Sequence, residues 1–235
     1  MDTQNANTRH ISRRKAWLLI VLLALILVAS VAFYISPART WVTGHFHSGI
    51  RTAAPSANSN AAMFGYDLQH TRFNANERQL NIGNVNGLEL YWSVATDNQV
   101  ISSPAVANGI VFIGSNNKHF YALDSKNGKA LWSYVSKADI GSSPAIANGI
   151  VYVGSSDHKL YAFNERTGAV VWTYATESAI WSSPSVANGI VYVGSNDSTL
   201  YALDARTGTG LWSYATNNYV SSSPAVVNGV VYVGS

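Results

Sequence analysis

From residue 88 onward, apolar and polar positions recur with a period of 40 residues. Trp92, Trp132, Trp172 and Trp212 fall 40 apart, and so do Pro104, Pro144, Pro184 and Pro224. One period, "SSPSVANGIVYVGSNDSTLYALDARTGTGLWSYAT" from Ser182 to Thr216, predicts four short strands. "SPSVA" is the first. Asn188-Gly189 then separates two apolar runs, the strongest short hairpin signal, because both turn residues must take positive φ. "IVYVGS" is β-branched and aromatic, as strands prefer. "NDST" is a polar turn, "LYALDA" a third strand, "RTG" another turn, and "LWSYAT" a fourth strand.

A four-stranded sheet cannot bury both faces alone, so the copies must stack. Four strands in about 40–45 residues is the pattern of a β-propeller blade. The fold class predicted is all-β: a propeller of four-stranded antiparallel blades, about 3.5 of them, over residues 88–235. Each Trp is expected to hold neighbouring blades together, with burial contributing about 4–6 kcal/mol as an upper limit. Gly128, Gly168 and Gly208 lie four residues before a Trp, where a missing side chain lets a neighbouring ring approach. Tyr121, Tyr161 and Tyr201 are expected in core or inter-blade packing.

The N-terminal part is different. Residues 16–35, "AWLLIVLLALILVASVAFYI", carry no charge and as a helix would span about 30 Å. Arg9, Arg13, Arg14 and Lys15 precede them, so residues 1–15 read as a cytoplasmic basic tail and the rest as extracytoplasmic. The expected localisation is a cell membrane, single-pass. The alternative is a cleaved signal peptide with Ser30 and Ala32 before the cut, although the apolar run is long for one. Residues 36–61 read as a flexible stalk, in which His45 and His47 form only a lone H-x-H. Residues 62–87 form a lead-in to the first blade.

Charge then excludes a class. The formal +3 resides in the first fifteen residues, and beyond Lys15 there are 11 basic and 11 acidic side chains. No basic stripe is left to track a phosphate backbone, so no nucleic-acid partner is expected. Charged residues are only 11% of the chain, against roughly 25% in ordinary soluble domains. There is no cysteine, which rules out disulfides, thiolate metal sites and a cysteine nucleophile.

"ALDSKNGKALW" (Ala122 to Trp132), "AFNERTGAVVW" (Ala162 to Trp172) and "ALDARTGTGLW" (Ala202 to Trp212) resemble the tryptophan-docking repeat A-x-D-x-x-x-G-x-x-x-W of the pyrroloquinoline-quinone (PQQ)-like propellers. "MFGYDLQHTRFNANERQLNIGNVNGLELYW" (Met63 to Trp92) is similar to the segment before their first blade. Asn164 replaces the usual Asp. The resemblance implies one of two activities. Quinoprotein dehydrogenases hold PQQ and Ca²⁺ over the axis and oxidise alcohols or sugars. Non-enzymatic members, such as the assembly factor BamB, use the blades as a docking surface.

A cofactor on a central axis is met differently by each blade, so candidate site residues are those that break the repeat. Trp181 stands where the other copies have Ile101, Gly141 and Ser221. Asp97, Lys137 and Glu177 share another register, with Asp139 nearby, and the inner turns "NNKH", "SDHK" and "NDST" differ. Under the enzyme reading Trp181 stacks on the quinone, and Asp97 or Glu177 supplies hard oxygen to Ca²⁺. Under the plainer one, Trp181 caps a blade edge and the carboxylates are solvated. His119 and His158 are out of register with each other, which speaks against a shared metal.

Leu88 to Thr96 is expected to supply an outer strand, and Ser222 to Ser235 two inner ones. Joined, they make a fourth blade without its "LYALDA" strand. The family's rings usually have seven or eight blades, so the chain reads as a piece of a longer one. Otherwise two arcs pair into a ring of about eight blades, an obligatory homodimer if the chain is complete. The functional expectation is a membrane-anchored binding or scaffold module with a protein partner and no cofactor. The alternative is a PQQ- and Ca²⁺-dependent dehydrogenase whose active-site residues lie largely in a missing C-terminal part. A sensor ectodomain is a third class, weakened by the short tail.

Overall fold

The computed structural model describes residues 61–235, apart from 73, 75 and 76. The predicted tail, membrane span and nearly all of the stalk lie outside the described residues. Among those described, no helix is long and apolar enough to cross a membrane.

Three four-stranded antiparallel sheets follow one another along the chain. The first holds β1 (Ala105–Ala107), β2 (Ile110–Gly114), β3 (His119–Asp124) and β4 (Ala130–Val135), in that order. The second holds β5 (Ala145–Ala147), β6 (Ile150–Gly154), β7 (Lys159–Asn164) and β8 (Val170–Ala175). The third holds β9 (Ser185–Ala187), β10 (Ile190–Ser195), β11 (Thr199–Asp204) and β12 (Gly210–Ala215). A two-stranded sheet of β13 (Ala225–Val227) and β14 (Val230–Tyr232) ends the described chain. The inner strands β1, β5, β9 and β13 lie side by side. These are propeller blades in series.

Local sequence explains each hairpin. The first turn of every blade is Asn-Gly with both residues left-handed, as at Asn148 (φ 52°) and Gly149 (φ 76°). That twist matches the flanking strands, and Asn and Gly tolerate it. In each whole blade the outer strand carries one extra residue, Leu131, Val171 or Leu211, so that the following Trp pairs with an Ala of the third strand. The bulge sets the indole toward the next blade.

The core lies between blades rather than inside one. Phe112 and Phe120 of the first blade share a cluster with Val151, Val153 and Phe163 of the second. Trp132 sits over Gly168, where an added Cβ would come within 2.6 Å of the ring, and its Nε1–H donates to the Glu165 carbonyl at 3.0 Å. Trp92 meets Gly128 and Trp172 meets Gly208 in the same way. A second glycine joint was not foreseen from sequence. Gly114, Gly154 and Gly194 leave room for the fully buried Ile140, Ile180 and Val220 of the following loop.

The "SSP" motif has a physical reason as well. The N–H of Ser103 donates to Ser143 Oγ at 2.8 Å, that of Ser143 to Ser183 Oγ at 3.0 Å, and that of Ser183 to Ser223 Oγ at 3.1 Å. The preceding Ser of each pair bonds its own blade, as Ser142 Oγ does with the Gly154 N–H at 3.1 Å. Tyr161 and Tyr201 are inter-blade, as expected, whereas Tyr121 meets His119 and Asn117 of its own blade. Tyr134 packs on Tyr161 at 5.2 Å, and Tyr174 on Tyr201 at 5.5 Å.

Two expectations need correction. Residues 88–96 form no strand, because no third strand of their own blade lies beside them among the described residues. The docked Trp92 and a bond from Asn117 Nδ2 to the Thr96 carbonyl hold them in place. The lead-in also does more than precede blade one. It crosses the free edges of the inner strands as a strap. Ala61 and Val106 exchange bonds of 2.9 and 2.8 Å, Ile146 N–H reaches the Ala62 carbonyl at 2.7 Å, and Val226 N–H the Leu68 carbonyl at 2.9 Å.

The loops entering each blade interlock with the inner turns between its second and third strands. Asn116 N–H donates to the Gln99 carbonyl, Ser156 N–H to Asp139 and Asn196 N–H to Ala179, each at 2.9 Å. Each inner turn also meets the next loop, 25 residues on. Trp181 Nε1–H donates to Ser156 Oγ at 3.1 Å, and Ser221 Oγ–H to Asn196 Oδ1 at 3.0 Å. Gly141 has no side chain to do this, and Asn116 Oδ1 is left buried without a partner.

Gly168→Ala should destabilise the protein by roughly 2–4 kcal/mol, through a disfavoured φ and a displaced indole. Gly149→Ala, with the same sign of φ but open space around the new methyl, should cost only about 1–2 kcal/mol; urea unfolding of both variants checks the difference. Gly141→Ser should stabilise by about 0.5–1.5 kcal/mol by donating to Asn116 Oδ1, since the Cβ meets only the flexible end of Ile101. A drop in denaturation midpoint would contradict that. His70, half-buried in the strap between Phe64 and Ser185, has its pKa lowered by burial and by Arg72, against the pull of Asp67. The unfolded chain therefore takes that proton first. Stability should be full above the ordinary value of 6.5 and decline as pH falls through it, with His70→Gln flattening the decline in urea melts.

Candidate functional site

The candidate site is the face built by the blade-entry loops and the inner turns. Its scaffold is stiff. Lys118, His158 and Ser198 take positive φ to close the inner turns. The N–H of Ser136, Thr176 and Thr216 donate to the carbonyls of Lys118, His158 and Ser198 at 2.9, 2.8 and 2.7 Å. Below them Asp157 Oδ2 accepts from Tyr161 Oη at 2.6 Å and from the Lys137 N–H at 3.1 Å. Asp197 Oδ2 does the same for Tyr201 and for the Glu177 N–H, at 2.8 and 3.0 Å. In the first blade Asn117 Nδ2 donates to Tyr121 Oη and to the Thr96 carbonyl instead. Sequence reading missed this residue-to-Tyr pairing, although the four-residue spacing repeats in every blade.

On that scaffold Trp181 stands 56% exposed, with its N–H fixed on Ser156. It caps the turn of the preceding blade, and its ring is left to solvent. Tyr219 and Ile101, also exposed, belong to the equivalent loops of other blades. Glu177 is exposed, and only its backbone N–H is engaged in the site. Asp97 is exposed at φ 58° in the loop before the first blade. Trp181 and Glu177 share a loop, whereas Asp97 lies on a different one. His119 stacks on Tyr121 at 5.4 Å, and His158 is exposed in another blade.

Among the described residues, no three His, Cys, Asp or Glu side chains gather as a metal would require. Calcium asks for six to eight oxygens, roughly. Asp97 and Glu177, on separate loops, do not assemble that shell, so the residues present do not fit a PQQ–Ca²⁺ centre. The buried hydroxyls are not set for acid–base work either. Burial, aided by the Asp204 charge, pushes Tyr152 up to about 12; burial and the bond to Asp197 push Tyr201 up to about 12. Burial and Asp157 push Tyr161 up as well. They are structural donors at neutral pH.

Toward the axis, a cleft of about 370 Å³ opens between the strap and the loop before β1, walled by Phe64, Tyr66, Arg72 and Pro104. The Arg72 guanidinium lies 5.4 Å over the Phe64 ring. Asp67 ties the strap together. Burial opposes its ionisation, but bonds from the Thr71 hydroxyl and from the Thr71 and Gln69 N–H groups outweigh it and lower its pKa.

Comparison with known proteins fits this geometry. The structure is similar to BamB from Moraxella catarrhalis, at 22% identity and a TM-score of 0.55, over 61% of this chain and 46% of that one. It is similar to a quinohemoprotein alcohol dehydrogenase from Comamonas testosteroni, at 26% identity and a TM-score of 0.60, over 68% and 27%. The computationally designed Ika4 protein aligns at 19% identity and a TM-score of 0.57, over 62% of this chain and 91% of its own. The chain thus spans under half of the Moraxella protein and about a quarter of the dehydrogenase, 46% and 27%. No curated protein matches it by sequence. Residues 84–140 and 135–235 match the family described as outer membrane protein assembly factor BamB, and the chain belongs to that family of PQQ-like repeat β-propellers.

Proposed function

We propose that the chain is a membrane-anchored, extracytoplasmic binding scaffold that docks a protein partner on the face bearing Trp181. One observation carries the reading. The residue that breaks the repeat is a large aromatic, held in one orientation by Ser156 and left 56% exposed. Oriented, exposed Trp is the residue type that anchors protein interfaces at low entropic cost. Loops locked to a β scaffold suit a preorganised docking surface. Family membership supports this reading through the assembly-factor description. The uncharged run of residues 16–35 after a basic cluster supports the anchor. The dehydrogenase reading draws on fold likeness, and the loop face supplies neither a gathered oxygen shell nor an acid–base pair.

A photo-crosslinking residue placed at Trp181 in the full chain, in membranes, should give a discrete adduct. The same group at Asn188, in the hairpin turn at the other end of β10, should give none. Equal labelling at the two sites would remove the loop face as the docking surface. Added PQQ and Ca²⁺ should produce no bound-quinone spectrum and no dye-linked alcohol oxidation. Both signals together would replace this reading with the dehydrogenase.

A further inference from the structure

Each blade has two ends, and the candidate site uses only the loop end. At the other end the Asn-Gly turn and the turn between the third and fourth strands lie together in every whole blade. The N–H groups of Ser125, Glu165 and Ala205 donate to the carbonyls of Gly109, Gly149 and Gly189, each at 2.9 Å. Lys126, Arg166 and Arg206 stand 40 residues apart in these turns, and Lys129 joins them in the first blade. All four are exposed, and none of their side chains makes a hydrogen bond or ion pair among the described residues.

The acidic groups of this turn end are already engaged. Asp124 Oδ1 accepts from the Lys126 N–H at 2.7 Å, and Asp204 Oδ1 from the Arg206 and Thr207 N–H groups at 3.0 and 2.7 Å. Glu165 is 3% exposed and accepts from Asn108 of the preceding blade at 2.7 Å. The second blade has Asn164 where the other two have Asp. The loop end has the opposite balance, with Asp97, Asp139, Asp157, Glu177 and Asp197 against Lys118, Lys137 and Lys159. One end is therefore net positive and the other net negative.

The chain also comes in at the basic end. Ala61 pairs antiparallel with Val106 of β1, and β1 runs from the loop end to the turn end. At Ala61 the chain is thus heading away from the turn end, and Met63 and Phe64 lie by Ser103 and Pro104 at the loop end. The stretch of residues 36–60 before it can span at most about 90 Å.

We infer that the turn end rests on anionic lipid headgroups, with Lys126, Lys129, Arg166 and Arg206 as the contacts. Each cation near an anionic lipid surface adds a modest attraction, and a tether makes the sum effective. Equivalent turns of successive blades offer their cations side by side, which suits a plane of headgroups better than the track of a single phosphate backbone. The loop end, with Trp181, is then turned to the aqueous side and open to its partner. The inference rests on the anchor proposed above for its tether.

The test uses the full chain, which has no native cysteine. It carries a fluorescent label at Ala169→Cys in the turn end or at Lys137→Cys in the loop end, both exposed positions. The labelled protein is placed in vesicles of phosphatidylcholine, alone or mixed with phosphatidylglycerol, with a quencher on the headgroups. With phosphatidylglycerol the label at position 169 should be quenched and that at 137 spared. In phosphatidylcholine alone both should be spared, while the chain still floats with the vesicles. Lys126→Gln, Lys129→Gln, Arg166→Gln and Arg206→Gln together should weaken the quenching at least about tenfold, with the strand circular-dichroism signal kept. Lys118→Gln with Lys159→Gln should leave it unchanged. High salt should also relieve it, reading the same contact without any substitution. Equal quenching at the two positions would overturn the inference, and so would quenching at 169 indifferent to phosphatidylglycerol and salt. A chain that floats only with phosphatidylglycerol, and is released by salt, would remove the anchor and keep the turn-end contact, so the two readings fail separately.

Discussion

Everything in this chain depends on one contact, an indole laid against a glycine that has no side chain and a left-handed backbone. A four-stranded blade has two apolar faces and cannot bury either by itself. Trp132 and Trp172 solve this by lying on Gly168 and Gly208 of the next blade, where any Cβ would intrude. The bulge in each outer strand follows from the same need, since it turns the Trp toward its receiver. Ile140 on Gly114 and Ile180 on Gly154 repeat the device nearer the axis. Burial mirrors it. Trp172, between two whole blades, is 9% exposed, whereas Trp212, beside the two-stranded sheet among the described residues, is 44% exposed.

Most of the local architecture was legible because its causes are local. Asn-Gly turns, β-branched runs and a Trp four residues after a glycine each act within a few positions. The strap was not legible, because its pairing with Val106, Ile146 and Val226 spans tens of residues and uses only main-chain groups. The serine ladder and the 25-residue bond from Trp181 to Ser156 escaped for a similar reason: the partner lies in a neighbouring blade. Residues 88–96 carry every strand signal and still form no strand, since a strand needs a partner edge as much as a propensity. At the candidate site, departure from the repeat picked out Trp181. It could not say that the indole is anchored by Ser156 and the carboxylates are left to solvent.

The fold divides roles between its surfaces. Blade faces carry stability, through rings, glycines and hydroxyls used identically in each copy. The loop face is where copies diverge, with Ile101, Gly141, Trp181 and Ser221 in one register. Because those loops are bonded to the inner turns beneath them, variation there alters the surface without disturbing the blades. A repeat protein can specialise in recognition by that route while its architecture stays uniform.

The claim beneath all of this is that each indole sits on the glycine of the following blade in solution. Proton chemical shifts of the glycine α-hydrogens test it directly, since a ring above them moves their resonances strongly upfield. The account predicts that shift at Gly128, Gly168 and Gly208, and ordinary values at Gly149 and Gly189, over which nothing lies. Gly168 resonating with Gly149 would contradict it.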